Sequence, residues 1–289
     1  MGVAIVTDST AYLTDEQLAG AAAPVTVVPL HVIVGGRESR EGADLGVADL
    51  ADALRRFVPV TTSRPSPQEF LEAYQQAARS GADAIVSVHI SAGLSATVQG
   101  AELAARQSPV PVHVVDSGTL GAAMGYAVLS GAAAAAAGGS PDEVAAVVRS
   151  RAEAAYVVFY VHTLEHLRRG GRIGAAAAVL GSALAIKPIL TVSDGRISAL
   201  EKVRTSTRAL ARMVELAGAV ADEATAAGRA VDVAVQHLDL AERAEEVRSA
   251  LAQRIPTASE IRVGELGAVV GAHVGPGTLA ICVAPRSDR

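Results

Sequence analysis

Side chains able to hold an anion recur in three hydroxyl-rich turns: Thr7-Asp8-Ser9-Thr10, Thr61-Thr62-Ser63-Arg64-Pro65-Ser66 and Ser91-Ala92-Gly93-Leu94-Ser95-Ala96-Thr97. The first and third follow short apolar runs, Val3 to Val6 and Ala84 to Ile90, and the second precedes a helical pattern from Pro67. In an open parallel sheet such turns gather at the carboxyl edge of the strands, where ligands bind. Hydroxyls and the N–H groups of helix starts collected there suit a carboxylate or a phosphate. Each turn also has a plainer use. Asp8, Ser9 and Thr10 are good helix caps, and Ser66 before Pro67 reads as a cap followed by the first helical position. The hydroxyls ahead of Ser66 are surplus to capping. Gly93 permits close backbone approach, and Ser95 suits a helix start.

Two further segments carry chemistry. Arg169-Gly170-Gly171-Arg172-Ile173-Gly174 is glycine-rich and is read as opening an Ala-rich helix. It lacks the Lys-Ser/Thr ending of a nucleotide-binding P-loop. Arg172 either offers a guanidinium to an anion or is solvated at the surface. His273 stands in an apolar, glycine-rich stretch from Gly267 to Gly277, as a core residue or as a hydrogen-bond donor and proton carrier. The other histidines have no metal-ligand spacing; His162 and His166 flank Glu165 without forming H-E-x-x-H. No G-x-S-x-G elbow and no nucleophile–base pair is apparent. No catalytic residue and no metal site is therefore assigned. The alternative kept is a stand-alone phosphotransferase or hydrolase of a small acyl compound.

The elements that must position these residues alternate through the first half. Strands are expected at Val3–Thr7, Val25–His31, Ala84–Ile90 and Val110–Val115, with helices at Asp15–Ala22, Leu45–Phe57, Gln68–Arg79, Ser95–Arg106, Leu120–Ala137 and Pro141–Ala154. That alternation predicts a parallel sheet with helices on its faces. The second half differs. After a strand at Tyr156–Val161 and a short helix at His162–Arg168, Ile186–Thr191 and Ile197–Val203 flank Asp194-Gly195 as a hairpin. A long helix at Ser206–Ala227, strands at Val231–His237, Ser259–Val263 and Leu279–Val283, and a helix at Ala241–Gln253 complete a mixed sheet. The expected division is residues 1–155, an N-terminal α/β domain, and 156–289, a C-terminal α/β domain.

Totals exclude several classes. The 289 residues carry a net charge of −5 and are half hydrophobic. No basic stripe with interleaved aromatics is present, so no nucleic-acid partner is expected. The one cysteine, Cys282, excludes an internal disulfide framework and fits a reducing cytoplasm. The chain begins on a strand-like run without a basic n-region, so no signal peptide is expected. The Ala-rich stretch from Gly131 to Gly139 is too short to span a bilayer, and no stable membrane insertion is expected.

Taken in order, these segments resemble the DegV family of bacterial fatty-acid-binding proteins over nearly the whole chain. The resemblance rests on the three turns, Asp116-Ser117, Gly170 to Gly174, Leu180-Gly181-Ser182, Ile186-Lys187-Pro188-Ile189, Lys202-Val203-Arg204-Thr205 and His273 to Gly277. It implies a three-layer N-terminal domain with a parallel sheet, a C-terminal mixed-sheet α/β domain and one long-chain fatty acid in a tunnel between them. It implies that Thr62 and Ser95 hold the carboxylate, with Arg172 and His273 near it; from the turns themselves, Ser63 and Gly93 are expected near the head group and Asp8 and Ser9 to frame the site. The resemblance further implies no cofactor, a protein that is not itself an enzyme, and presentation of the acid to a separate ATP-binding fatty acid kinase subunit docked through Arg204. Four positions depart from the family pattern. Arg64 replaces a common glutamine, either adding charge beside the head group or facing solvent. Ala92 replaces a serine, and Ala96-Thr97-Val98 replaces Gly-Thr-Tyr, with an effect expected on acyl-chain preference.

Overall fold

The structure, a computed structural model, describes residues 2–42, 44–179, 186–258 and 260–286. The Leu180-Gly181-Ser182 motif, and Ser259 at the start of an expected strand, lie outside the described residues. In chain order the strands are β1 (Val3–Asp8), β2 (Val25–Val28), β3 (His31–Val34), β4 (Arg37–Arg40), β5 (Val60–Ser63), β6 (Ala84–His89), β7 (Val112–Asp116), β8 (Tyr156–Tyr160), β9 (Lys187–Ser193), β10 (Arg196–Val203), β11 (Val231–Leu238), β12 (Ile261–Glu265) and β13 (Thr278–Pro285). The α-helices are α1 (Asp15–Ala19), α2 (Val47–Arg55), α3 (Pro67–Arg79), α4 (Thr97–Ala105), α5 (Gly121–Ala136), α6 (Pro141–Ala154), α7 (Glu165–Arg169), α8 (Ser206–Ala226), α9 (Ala241–Arg254) and α10 (Ala268–Val274).

The chain forms two compact units, and neither is contiguous. One comprises residues 1–31 and 63–153, the other residues 32–62 and 154–289. The expected division at 155/156 therefore misplaces residues 32–62. Val25–His31 and Leu45–Phe57 read as continuing the βα alternation. Instead the apolar run is two strands, β2 and β3, and the segment beyond it builds its own three-stranded sheet in the order β4-β3-β5. Its helix α2 buries Leu50 completely, against Gly271 of α10. An insertion whose apolar face is covered by a distant element belongs to that element's core.

The first unit has three layers. Its four-stranded sheet runs β2-β1-β6-β7 with every pair parallel. Alternation along β1 sends Val3 and Ile5 to a core with Met124 and Val128 of α5 and Val144 and Val148 of α6. It sends Ala4 and Val6 to a second core with Phe70 and Tyr74 of α3 and Ala101 of α4. Burial on both faces explains why β1 and β6 read as unbroken apolar runs rather than alternating ones. Helix α3 starts as its sequence predicts: Pro67 is in the first turn, and Ser66 and Glu69 form a reciprocal capping box.

The second unit contains a six-stranded mixed sheet, β10-β9-β8-β13-β11-β12. The expected hairpin is β9–β10, turning at Asp194 and Gly195, both at positive φ as a two-residue connection requires. Val158, Ile189, Val233, Val235, Ile281 and Val283 form its core with Met213 of α8 and Leu251 of α9. The Ala-rich stretch after Arg172 is a 3-10 helix, Gly174–Val179, rather than an α-helix. Among the described residues no helix is long and apolar enough to cross a membrane.

Close packing of α5 on the turn after β1 generates a stability test. A Cβ on Gly125 would lie 2.7 Å from the Ala11 carbonyl oxygen. Gly125→Ala is expected to lower unfolding free energy by about 1–3 kcal/mol in urea denaturation, although alanine is intrinsically the better helix former.

Candidate functional site

In the first unit the parallel strands β1 and β6 end side by side, and a single carboxyl group joins their ends. Asp8 is fully buried and caps a 3-10 turn, Ser9–Ala11. Its Oδ1 accepts from the Thr10 amide (3.0 Å) and hydroxyl (2.5 Å), and its Oδ2 accepts from the Ile90 amide (2.9 Å) and meets His89 Nδ1 (3.1 Å). His89 Nε2 is 2.7 Å from Ser87 Oγ, itself 2.9 Å from Tyr74 Oη. The chain is satisfied when Tyr74 donates to Ser87, Ser87 to Nε2, and Nδ1–H to Asp8. Burial pushes the Tyr74 hydroxyl up to about 12, so it stays a donor. Phe70 packs edge-on against the His89 ring, 4.9 Å between centroids.

This network was not drawn from the sequence. Its one signal was Ser87 and His89 at i and i+2 in an otherwise apolar strand, which places both on the face that meets Tyr74 and Phe70. Acid, imidazole and serine are linked as in a hydrolase, yet Asp8, His89, Ser87 and Tyr74 are all wholly excluded from solvent. Ser87 therefore offers no nucleophile to a substrate, and Asp8 acts as a framework.

From that framework the third turn departs. Ser91 lies directly after Ile90, and its carbonyl accepts from the Leu94 and Ser95 amides (2.9 and 3.0 Å). The exposed Gly93 donates its amide to Ser91 Oγ (3.1 Å). Ser95 is not the helix cap expected of it. Helix α4 begins at Thr97 with Ala96 at the cap position, and Ser95 Oγ, half-buried, lies 2.8 Å from Thr97 Oγ1. Ser9 Oγ accepts from the Leu30 amide (3.0 Å), joining the first turn to the end of β2. Ser63 ends β5 and is half-buried. Arg64, exposed, donates to the Ala96 carbonyl (2.9 Å), one residue from Ser95.

In the second unit the structure brings together two residues 211 positions apart. Thr62 Oγ1 lies 2.8 Å from His273 Nε2. The ring lies against the backbone of Gly170, where any side chain would collide with Nδ1. Burial, reinforced by the Arg172 guanidinium, lowers the His273 pKa from 6.5 to about 4, so the ring is neutral near pH 7. Nδ1 is buried without a hydrogen-bond partner. Placing the single ring proton on Nε2 spares an unpaired buried N–H and makes the imidazole the donor to Thr62. The Thr62 hydroxyl proton is then free to bond an acceptor beyond the ring. Arg172 is exposed and donates through Nη1 to the Gly170 carbonyl (2.6 Å). Arg204 is exposed between β10 and α8 and makes no ion pair among the described residues.

A cleft of about 220 Å³ opens in this unit among Val161, His162, Thr163, Leu164, Ile186 and Pro188. That is below the roughly 300–1,000 Å³ of ordinary ligand pockets, so the cleft alone does not house a long acyl chain. Among the described residues no group of three or more His, Cys, Asp or Glu side chains is placed to hold a metal ion.

A parallel three-layer unit with hydroxyl turns at its strand ends, joined to a mixed-sheet unit, defines a two-domain α/β fold. The chain belongs to the DegV family, described as uncharacterised proteins, whose family model matches residues 2–286. A DegV domain-containing protein of Streptomyces coelicolor is 49% identical over 284 residues, 98% of this chain and 99% of its own. The solved structure of a DegV family protein from Thermus thermophilus, described by its fatty-acid binding, is similar with a TM-score of 0.90 at 35% identity, covering 99% of this chain and 100% of that one. DegV of Bacillus subtilis, described as a fatty-acid-binding protein, is similar with a TM-score of 0.89 at 31% identity over 99% of both chains.

The state of His273 is open to titration. Because its folded pKa of about 4 lies below the ordinary 6.5, the neutral ring contributes stability that is complete above about pH 6.5 and is lost as pH falls toward 4. A ring-proton NMR titration is expected to show His273 neutral until pH approaches 4. Unfolding free energy of His273→Gln should fall less steeply than that of the parent over the same acid range.

Proposed function

We propose that this protein binds a long-chain fatty acid, with the hydroxyls of Thr62 and Ser95 as donors to its carboxylate. The observation that carries the reading is the Thr62–His273 hydrogen bond (2.8 Å) to a neutral ring; with the ring proton placed on Nε2, the Thr62 proton is left for an outside acceptor. A carboxylate only accepts hydrogen bonds, so it matches a hydroxyl polarised in this sense. The Ser95 hydroxyl and the Arg172 guanidinium belong to the same chemistry, with Gly93 in the turn beside Ser95, since an unpaired buried charge is costly. The tail supplies affinity at about 0.8 kcal/mol for each methylene buried. The fatty-acid binding ascribed to the Thermus and Bacillus relatives supports this reading.

In this reading the protein carries the acid rather than transforming it, and the hydrogen-bonded chain of Ser87, His89 and Asp8 is sealed from solvent. On the same reading a separate ATP-dependent kinase subunit phosphorylates the presented carboxylate in the cytoplasm, docking through the exposed Arg204. Protein purified from a bacterial host is expected to release a fatty acid detectable by mass spectrometry after denaturation. Thr62→Ala and Ser95→Ala should each weaken binding of added palmitate by roughly 1.5–3 kcal/mol, the worth of a hydrogen bond to a charged group. Unchanged affinity in both variants would overturn the assigned head-group site. Acyl phosphate made from ATP and palmitate by this chain alone would instead establish the stand-alone phosphotransferase.

A further inference from the structure

We infer that Glu41 is a positioning residue of the head-group site, an inference that rests on the reading of Thr62 and His273 as that site. Glu41 is a buried acid, 7% exposed, in the segment of residues 32–62. Its Oε1 accepts from the amide of Val269 (2.7 Å), 228 residues away in the first turn of α10. Helix α10 is the helix that carries His273.

The first turn of a helix has amides without helical partners, which a cap side chain normally satisfies. Here the cap position is Gly267, which has no side chain, and no side-chain cap bond is made from it. A serine or aspartate at 267 would satisfy the helix from within its own strand-to-helix link. Supplying the acceptor from Glu41 makes completion of α10 depend on the docking of residues 32–62. Those same residues deliver Thr62.

The attachment repeats along α10. Glu41 holds the amide of Val269, Leu50 packs where a Cβ on Gly271 would lie 2.7 Å away, and Thr62 bonds His273. Arg55 pairs with Asp239, adjoining Leu238, which also packs on Gly271. Of these ties, Glu41 is the polar one buried at the helix start, opposite the end that bears His273. Losing it frees α10 to shift, and a shift of well under an ångström lengthens the Thr62–His273 bond past useful hydrogen-bond range.

Palmitate affinity by titration calorimetry on the full chain tests this. Glu41→Ala is expected to weaken palmitate roughly tenfold, and Glu41→Asp, one methylene too short, to a similar degree. Glu41→Gln, whose amide oxygen accepts the same bond, should stay within about threefold of the parent. In a Thr62→Ala background Glu41→Ala should cause no further loss, because both act on one hydrogen bond. Unchanged affinity in Glu41→Ala, or an equal loss with and without Thr62, would overturn the inference in favour of a purely structural acid. If Thr62→Ala itself binds palmitate normally, the carboxylate reading fails instead. Glu41 is then judged on the ligand-free protein, where imidazole nitrogen shifts should report one His273 tautomer in the parent and Glu41→Gln but a mixture in Glu41→Asp. One unchanged tautomer in Glu41→Asp would refute the positioning role.

Discussion

A carboxyl group sealed from water must find its hydrogen bonds within the protein, and Asp8 imposes that constraint on the first unit. Its four bonds come from Thr10, twice, from the amide of Ile90 and from the ring of His89. Two of the donors lie on β1's own exit turn and two at the end of β6. Parallel pairing brings those ends to one edge, and Asp8 then holds them in register. The turn that bears Gly93 and Ser95 leaves from the residue that Asp8 fixes. A chain of donors behind the imidazole, Ser87 and then Tyr74, prevents the ring from turning.

The second unit meets a different requirement. Thr62 comes to His273 because residues 32–62 leave the first unit's sequence and join the second unit, where Leu50 packs on Gly271. The buried ring of His273 cannot readily take a second proton, and the nearby Arg172 makes protonation harder still. A neutral imidazole with one proton gives the Thr62 hydroxyl a direction without adding charge. In the proposed site, a hydroxyl oriented in this way would receive an anion and release it, whereas a buried ion pair would bind at the cost of two desolvated charges.

Much of the architecture was legible along the chain because the two periodicities leave distinct traces. Apolar runs bounded by hydroxyl turns marked β1 and β6, Asp194-Gly195 marked the β9–β10 hairpin, and Ser66-Pro67 marked the start of α3. Residues 32–62 defeated that reading. Their strands are short, with a glycine pair between β3 and β4, and their helix has the same local pattern as one that packs on the first sheet. Local pattern says that α2 has an apolar face but not which surface covers it. Ser95 illustrates a smaller failure, since a hydroxyl that suits a cap by type stands two residues ahead of the helix.

The residue types of the proposed site are therefore set by the sequence itself: hydroxyls at strand ends, a glycine-flanked arginine and a histidine in an apolar stretch. Tertiary structure decided their states. It buried Asp8, His89 and Ser87 as a framework rather than leaving them reactive, set Thr62 beside His273 across 211 residues, and tied α10 to Glu41. Such pairings are long-range, and burial is a property of what covers a residue rather than of the residue. Protonation and hydrogen-bond direction follow from burial, so they come into being only once the chain has folded.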